Sequence, residues 1–228
     1  TVQGSDPNAA IADAALGLIA TKVAAGDNHS CVLAGAAVSC WGSNGAGQLG
    51  LTVDNAPVDP APGTAVAPAL PAVDALDLAA GANHSCALMT GGGVFCWGAN
   101  GAGQAGQPEG GNQVLSPVQV TLPAAATAVF AADNNTCALL DDSRVFCWGS
   151  NRFQQLGLGP ETLDSPSPVE IADVLATTVS VSNAHVCVIT PEGATRCWGD
   201  NRYTELGTDR VELAGSATQT ELVCASAE

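Results

Sequence analysis

Residues 79–106 read Ala-Ala-Gly-Ala-Asn-His-Ser-Cys-Ala-Leu-Met-Thr-Gly-Gly-Gly-Val-Phe-Cys-Trp-Gly-Ala-Asn-Gly-Ala-Gly-Gln-Ala-Gly. Two short apolar runs flank Gly91-Gly92-Gly93, the pattern of two strands joined by a hairpin turn. A helix through this stretch would carry a glycine every few residues, each costing about 1 kcal/mol in a helical interior. Ser30 to Leu33 and the turn Asp141-Asp142-Ser143 repeat the signal elsewhere. The stretch Pro7 to Leu18, where Ala, Ile and Leu follow Asp6, could be helical, although its place before the first hairpin also suits a strand and linker.

Working outward, the same pattern recurs four times at intervals of about 50 residues, so self-similarity sets the architecture. The repeat cores are 23–51, 78–107, 129–159 and 179–208 within a single domain, 1–228, with insertions between copies and not inside them. Copy one carries His29-Ser30-Cys31, Cys40-Trp41-Gly42-Ser43-Asn44 and Gly47-Gln48-Leu49-Gly50. Copy two has His84-Ser85-Cys86 and Cys96-Trp97-Gly98-Ala99-Asn100, and copy three has Asn135-Thr136-Cys137 and Cys147-Trp148-Gly149-Ser150-Asn151. The fourth diverges most, with His185-Val186-Cys187, Cys197-Trp198-Gly199-Asp200-Asn201 and Thr204-Glu205-Leu206-Gly207.

The motif Ala-Ala-Gly-x-x-His-Ser-Cys followed by Cys-Trp-Gly-x-Asn-x-x-Gly-Gln-Leu-Gly resembles the repeat of the regulator of chromosome condensation family, across most of residues 23–208. The resemblance implies an all-β fold, a β-propeller, in a family whose rings usually have seven blades of about 50 residues. Four repeats then form a closed four-bladed ring, a segment of a longer propeller, or a ring completed by association.

A cysteine stands on each side of every predicted hairpin: Cys31 and Cys40, Cys86 and Cys96, Cys137 and Cys147, Cys187 and Cys197. Facing positions on antiparallel strands meet the distance requirement of a disulfide, so four intra-repeat bridges are expected, with bridges between blades left open by sequence alone. The cysteines lack the close paired spacing of zinc sites, and no metal or cofactor is expected. Cys224 has no counterpart in the repeat and is free, bridged to another chain, or the remnant of a longer chain.

Cysteine pairs point to an exported protein, secreted, periplasmic or at the cell surface. The sequence opens at Thr1 in polar residues without a signal-peptide pattern, as a mature exported chain would. No apolar run approaches the roughly 18 to 20 residues of a membrane span, so no membrane insertion is expected. Six Lys or Arg against 22 Asp or Glu give a net charge of −16, which repels phosphates and argues against nucleic acid. With 46% hydrophobic and 12% charged residues the chain is globular, built largely on Ala and Val.

The recurring residues read as structural. A ring of ligands from His29, His84 and His185 is opposed by Asn135 in the third slot, and the slot reads instead as satisfying turn backbone groups. The four Trp read as blade packing, and the Asn-x-Ser/Thr matches inside the motif as coincidental. Departures from the repeat are the better functional candidates: Arg152, Phe153, Arg202 and Tyr203 replace the Gly-Ala of the first two copies, and Arg-aromatic pairs are common interface anchors. The alternative is that Phe153 and Tyr203 fill local space. Segments Thr52 to Asp77, Pro108 to Ala128 and Pro160 to Thr178 read as variable connections that set specificity.

No catalytic motif stands out, and the expected role is a non-catalytic protein-binding or scaffolding module, not an enzyme. The resemblance also covers secreted bacterial β-lactamase inhibitors, which makes an enzyme inhibitor the sharpest version of a protein partner. Glycan binding at a cell surface is the alternative, with self-association as a further option. Nucleotide exchange, as in the nuclear member that names the family, fits the cysteine pairs poorly.

Overall fold

The computed structural model describes residues 19–53, 56–61, 64–108, 111–159, 162, 164–207 and, as backbone, 213–220. Pro7 to Leu18 and Cys224 lie outside them.

The described residues form four antiparallel blade sheets that follow one another along the chain, with a separate two-stranded ribbon after the first. Blade 1 has β1 (Ala20–Ala25), β2 (His29–Ala34) and β3 (Ala37–Gly42); a short β4 (Thr52–Val53) and β5 (Ala56–Pro57) follow. Blade 2 comprises β6 (Ala75–Ala80), β7 (His84–Met89), β8 (Val94–Ala99) and β9 (Gln113–Gln119). Blade 3 runs through β10 (Ala126–Ala132), β11 (Asn135–Leu140), β12 (Arg144–Gly149) and β13 (Ser165–Leu175). Blade 4 has β14 (Thr178–Val181), β15 (His185–Ile189), β16 (Thr195–Asp200) and β17 (Leu213–Thr220). In blades 2 to 4 the strands pair in simple sequence order.

Two of the segments expected to be specificity-setting connections, 108–128 and 160–178, each contain a full strand. β9 and β13 are the outermost strands of blades 2 and 3, whereas 52–77 holds the short β4 and β5, the isolated bridge residue Val66 and the start of β6. Blade 1 lacks a full fourth strand and has in its place the backbone pair Cys40 with Val66. Pro117, Pro166 and Pro168 sit on outer strands, where one side of the backbone needs no ladder partner.

Register brings each cysteine pair face to face: Cys31 opposite Cys40, Cys86 opposite Cys96, Cys137 opposite Cys147 and Cys187 opposite Cys197. All four pairs are bridged, with Cα atoms 4.1 Å apart, so every disulfide lies within its own blade.

Because side chains alternate across a strand, each blade has two apolar faces. The face toward the following blade carries the disulfide and Leu33, Leu88 or Leu139. The opposite face carries the Trp and Leu78, Val129 or Val179. Each core is therefore shared between neighbours: Cys31, Leu33, Cys40 and Leu49 of blade 1 pack with Leu78, Ala87, Met89 and Trp97 of blade 2. The same arrangement joins blades 2 and 3, and blades 3 and 4.

Each Trp-Gly glycine adopts a left-handed φ, and at Gly98 (φ 105°) a Cβ would lie 2.6 Å from the Asn83 carbonyl oxygen. Side chains rarely adopt that conformation and backbone blocks it, so Gly98→Ala is expected to cost about 2 kcal/mol or more. Chemical denaturation of the oxidised protein measures that loss, and an unchanged midpoint would refute it.

Among the described residues the four blades do not close on themselves. Val23 is 66% exposed while its counterparts Leu78, Val129 and Val179 are exposed by 1%, 1% and 5%. At the other end Ile189 is 43% exposed, whereas Leu33, Leu88 and Leu139 are buried. The closed four-bladed ring is thus replaced by an open arc.

Candidate functional site

The recurring polar residues form the junctions between blades. The Trp97 indole donates to the Gln48 carbonyl oxygen (2.9 Å), Trp148 to Gln104 (3.0 Å) and Trp198 to Gln155 (2.8 Å). The same carbonyls accept a hydroxyl from the following blade, Ser85 to Gln48 (2.9 Å) and Thr136 to Gln104 (2.8 Å). These three tryptophans are buried, which leaves them unable to act as a stacking platform, while Trp41 of blade 1 is partly exposed.

The His slot reaches across the same junctions. His29 Nε2 lies 2.9 Å from Ser85 Oγ, and His84 Nε2 lies 2.7 Å from Thr136 Oγ1. Since each hydroxyl donates its hydrogen to a carbonyl, its oxygen accepts from Nε2–H, and the histidines are neutral with bare Nδ1. Burial pushes the His29 pKa down to about 4, against an opposing pull from Asp27. Burial pushes His84 down to about 3, with His29 adding a smaller repulsion. The expectation that this slot satisfies its own turn is corrected for His29, His84 and Asn135, whose partners lie one blade away.

Local sequence makes room for each ring. A Cβ on Gly81 would stand 2.1 Å from His84 Cε1, and Gly26 is equally crowded by His29. Copy three has Ala132 at this position and the smaller Asn135 in the His slot, where the amide donates to the Asn183 carbonyl (3.0 Å). Copy four has Ser182, whose hydroxyl engages His185 Nδ1 at 2.9 Å. His29 and His84 therefore line successive junctions, His185 bonds within its own turn, and the three do not converge on a ligand.

The asparagine of each Trp-Gly-x-Asn motif staples the following turn. Asn100 Oδ1 accepts from Ala105 N (3.1 Å), and its amide donates to the carbonyls of Gln107 (2.8 Å) and Gly111 (3.0 Å). Gln104 Oε1 accepts from Ala102 N (2.9 Å) while its amide donates to Asn134 (2.8 Å). With these slots spent on structure, the departures stand out.

Those departures occupy the turns of blades 3 and 4. Arg202 lies with its guanidinium 5.2 Å from the centroid of the Phe153 ring, a contact between adjacent blades. The same guanidinium pairs with Asp200 at 2.7 Å and holds that carboxyl below the usual range. Phe153 is half-buried, Arg152 is exposed with no ion pair among the described residues, and Tyr203 is 80% exposed. The structure therefore joins Phe153 with Arg202 and leaves Arg152 and Tyr203 facing solvent. Sequence reading passed over Asp200, whose signal was a carboxylate where the other copies have Ser or Ala.

Among the described residues no group of three His, Cys, Asp or Glu could hold a metal. The hollow between the innermost strands, about 330 Å³, is lined by apolar residues such as Ala24, Leu78, Val129 and Val179. Its one basic group, Lys22, is paired with Asp77. No helix is long and apolar enough to cross a membrane among the described residues.

Stacked, disulfide-clasped antiparallel blades joined by a repeating Trp-to-carbonyl bond define a repeat propeller. The chain belongs to the regulator of chromosome condensation (RCC1) repeat family: one profile of that repeat matches residues 76–104 and 126–155, and a second matches 91–139 and 142–189. Among relatives, the probable E3 ubiquitin-protein ligase HERC4 of Mus musculus is 31% identical over 138 residues, 60% of this chain and 13% of that protein. The regulator of chromosome condensation of Drosophila melanogaster is 35% identical over 88 residues, 38% of this chain and 16% of that protein. The crystal structure of human WBSCR16 superposes with a TM-score of 0.78 at 21% identity, covering 88% of this chain and 51% of that one. Yeast RCC1 (Prp20), solved bound to Kap60, gives 0.75 at 22% identity, covering 90% and 49%. The chain thus spans about half the length of these two solved structures and a small fraction of the curated relatives.

Proposed function

We propose that this arc is a non-catalytic protein-docking module working in an oxidising compartment, and that its partner engages the ledge formed by Arg152, Phe153, Arg202 and Tyr203. The observation that carries the reading is that the recurring polar and aromatic slots hold blades together, whereas the departures gather on adjacent turns with Arg152 and Tyr203 in water. Arg and Tyr are the residue types that anchor protein interfaces. On an otherwise acidic molecule, Arg152, which makes no ion pair among the described residues, offers a local landing point for a carboxylate-bearing segment, while Arg202 is engaged by Asp200. The yeast relative, solved in complex with Kap60, supports protein docking as a use of this fold. The buried tryptophans favour a protein over a glycan, and the four disulfides support an exported location.

The test is quantitative capture of exported or surface proteins by the immobilised chain and by a variant carrying Arg152→Gly, Phe153→Ala, Arg202→Gly and Tyr203→Ala. The expected result is a partner retained by the parent and weakened at least tenfold by the variant, about 1.4 kcal/mol. Undiminished capture by a folded variant would remove the ledge from the binding surface.

A further inference from the structure

The geometry points to Arg152 as a receptor for an aromatic ring and a carboxylate carried close together on a peptide segment of the partner. This inference rests on the ledge reading and names the chemistry that one of its residues takes.

The two turns that carry an arginine hold the same side chain in two states. In blade 4 it is closed: the Arg202 guanidinium lies 5.2 Å from the centroid of the Phe153 ring of the preceding blade and pairs with Asp200 at 2.7 Å. Arg152 occupies the equivalent place in blade 3, four residues after Trp148 as Arg202 is four after Trp198. There Ser150 stands in the place of Asp200, and the preceding blade offers Ala102 in the place of Phe153. Both partners are replaced by small groups, and the exposed Arg152 side chain makes no ion pair, hydrogen bond or ring contact among the described residues.

The turn that would floor each arginine is pinned in the same way. Ala102 N donates to Gln104 Oε1 at 2.9 Å, and Phe153 N donates to Gln155 Oε1 at 2.8 Å. Side chains, and not the backbone bond, set the two apart. On blade 2 the space is open, since a Cβ added to Gly101 would meet nothing beyond its chain neighbours within 4 Å. A partner's ring can lie against Gly101 and Ala102 under the Arg152 guanidinium, as Phe153 lies under Arg202. Ser150 is buried, so the partner's carboxylate reaches the guanidinium from the solvent side. Asp164 bonds the neighbouring Asn151 N–H at 3.0 Å and makes no ion pair with Arg152.

Charge explains why the occupant needs both parts. Among the described residues Lys22, Arg144 and Arg202 each hold a carboxylate and Arg196 holds the Asp173 carbonyl, which leaves Arg152 as the one unspent basic side chain. A net charge of −16 repels a segment that is acidic throughout. A single carboxylate satisfies the guanidinium, and the ring adds contact that the acidic surroundings do not oppose.

The test follows the arginine Nε–H resonances of the full oxidised chain by NMR while the acetylated, amidated peptide Gly-Ser-Phe-Gly-Asp-Ser-Gly is added. The expected result is a saturable shift of the Arg152 resonance with a dissociation constant of about 1 mM or tighter, the Arg202 resonance staying in place. Peptides with Ala for Phe, or Asn for Asp, should each bind at least about threefold more weakly. Arg152→Ala, at an exposed position, should abolish saturable binding. Ala102→Phe with Ser150→Asp gives blade 3 the partners of blade 4; it should slow hydrogen exchange at Arg152 Nε toward that of Arg202 and weaken the peptide at least about fivefold. No saturable shift at Arg152, equal binding of either reduced peptide, or binding that survives Arg152→Ala would each overturn the proposal. Capture that still depends on the four ledge residues would in that case keep the docking reading with a different occupant, whereas undiminished capture by the four-residue variant removes the docking reading itself.

Discussion

Lowering the pH from 7 to 4.5 is expected to remove roughly 5 kcal/mol of folding stability, through His29 and His84. Both are neutral in the folded protein, with pKa values near 4 and 3, while in the unfolded chain they titrate near the ordinary 6.5. At neutral pH neither state holds the protons and the contribution is complete. As pH falls below about 6.5 the unfolded chain takes up two protons that the folded one refuses, and the equilibrium drains toward unfolding. Each unit of that gap is worth about 1.4 kcal/mol, and at pH 4.5 both groups stand about two units below 6.5. The carboxylates held low by arginine or hydroxyl partners, Asp142, Asp200 and Glu192, act in the same direction but at lower pH. Urea unfolding at pH 7 and 4.5 measures the loss. The double change His84→Asn with Thr136→Val copies the Asn135 and Val186 pairing of the third junction, and should remove about half of the pH dependence. An unaltered dependence would show that the buried imidazoles are not its source.

Complete reduction is expected to unfold the protein at room temperature. Each bridge closes a loop of about ten residues, for which chain entropy gives about 2–3 kcal/mol, and four together reach about 10 kcal/mol. That equals the total stability of an ordinary domain. The bridges also sit in the shared cores, where Cys31, Cys40, Cys86, Cys96, Cys137 and Cys147 are fully buried, so opening one leaves thiols inside a core packed for a disulfide. Thermal melts with and without a phosphine reductant, after equilibration in mild urea to expose the bridges, provide the measurement. A reduced protein that melts within a few degrees of the oxidised one would contradict this.

The hairpins and their bridges could be read from sequence because both are local. A Cys on either side of a Gly-rich turn has few partners in reach, and the repeat multiplies the signal. The outer strands were hidden because β13 begins Ser165-Pro166-Ser167-Pro168, a composition that reads as a connection and is tolerated only at a sheet edge. The role of the His slot was hidden by distance, since its hydroxyl lies about one repeat away in sequence, at a separation of 52 or 56 residues. At the candidate ledge, the four departures were visible as breaks in the pattern. Only the fold could show that Arg202 covers Phe153 from the neighbouring blade and is itself neutralised by Asp200, which divides the four residues into two that are engaged and two that are available.

Because each junction is written half on one blade and half on the next, the order of blades is encoded in their chemistry. Excising blade 2 would set His29 against Thr136, an imidazole facing a hydroxyl as before, and the shortened array should knit together. Excising blade 3 would set His84 against Val186, stranding a buried nitrogen on a methyl group. Loss or duplication of a repeat is thus tolerated at some seams and penalised at others, and the spelling of one dipeptide decides which.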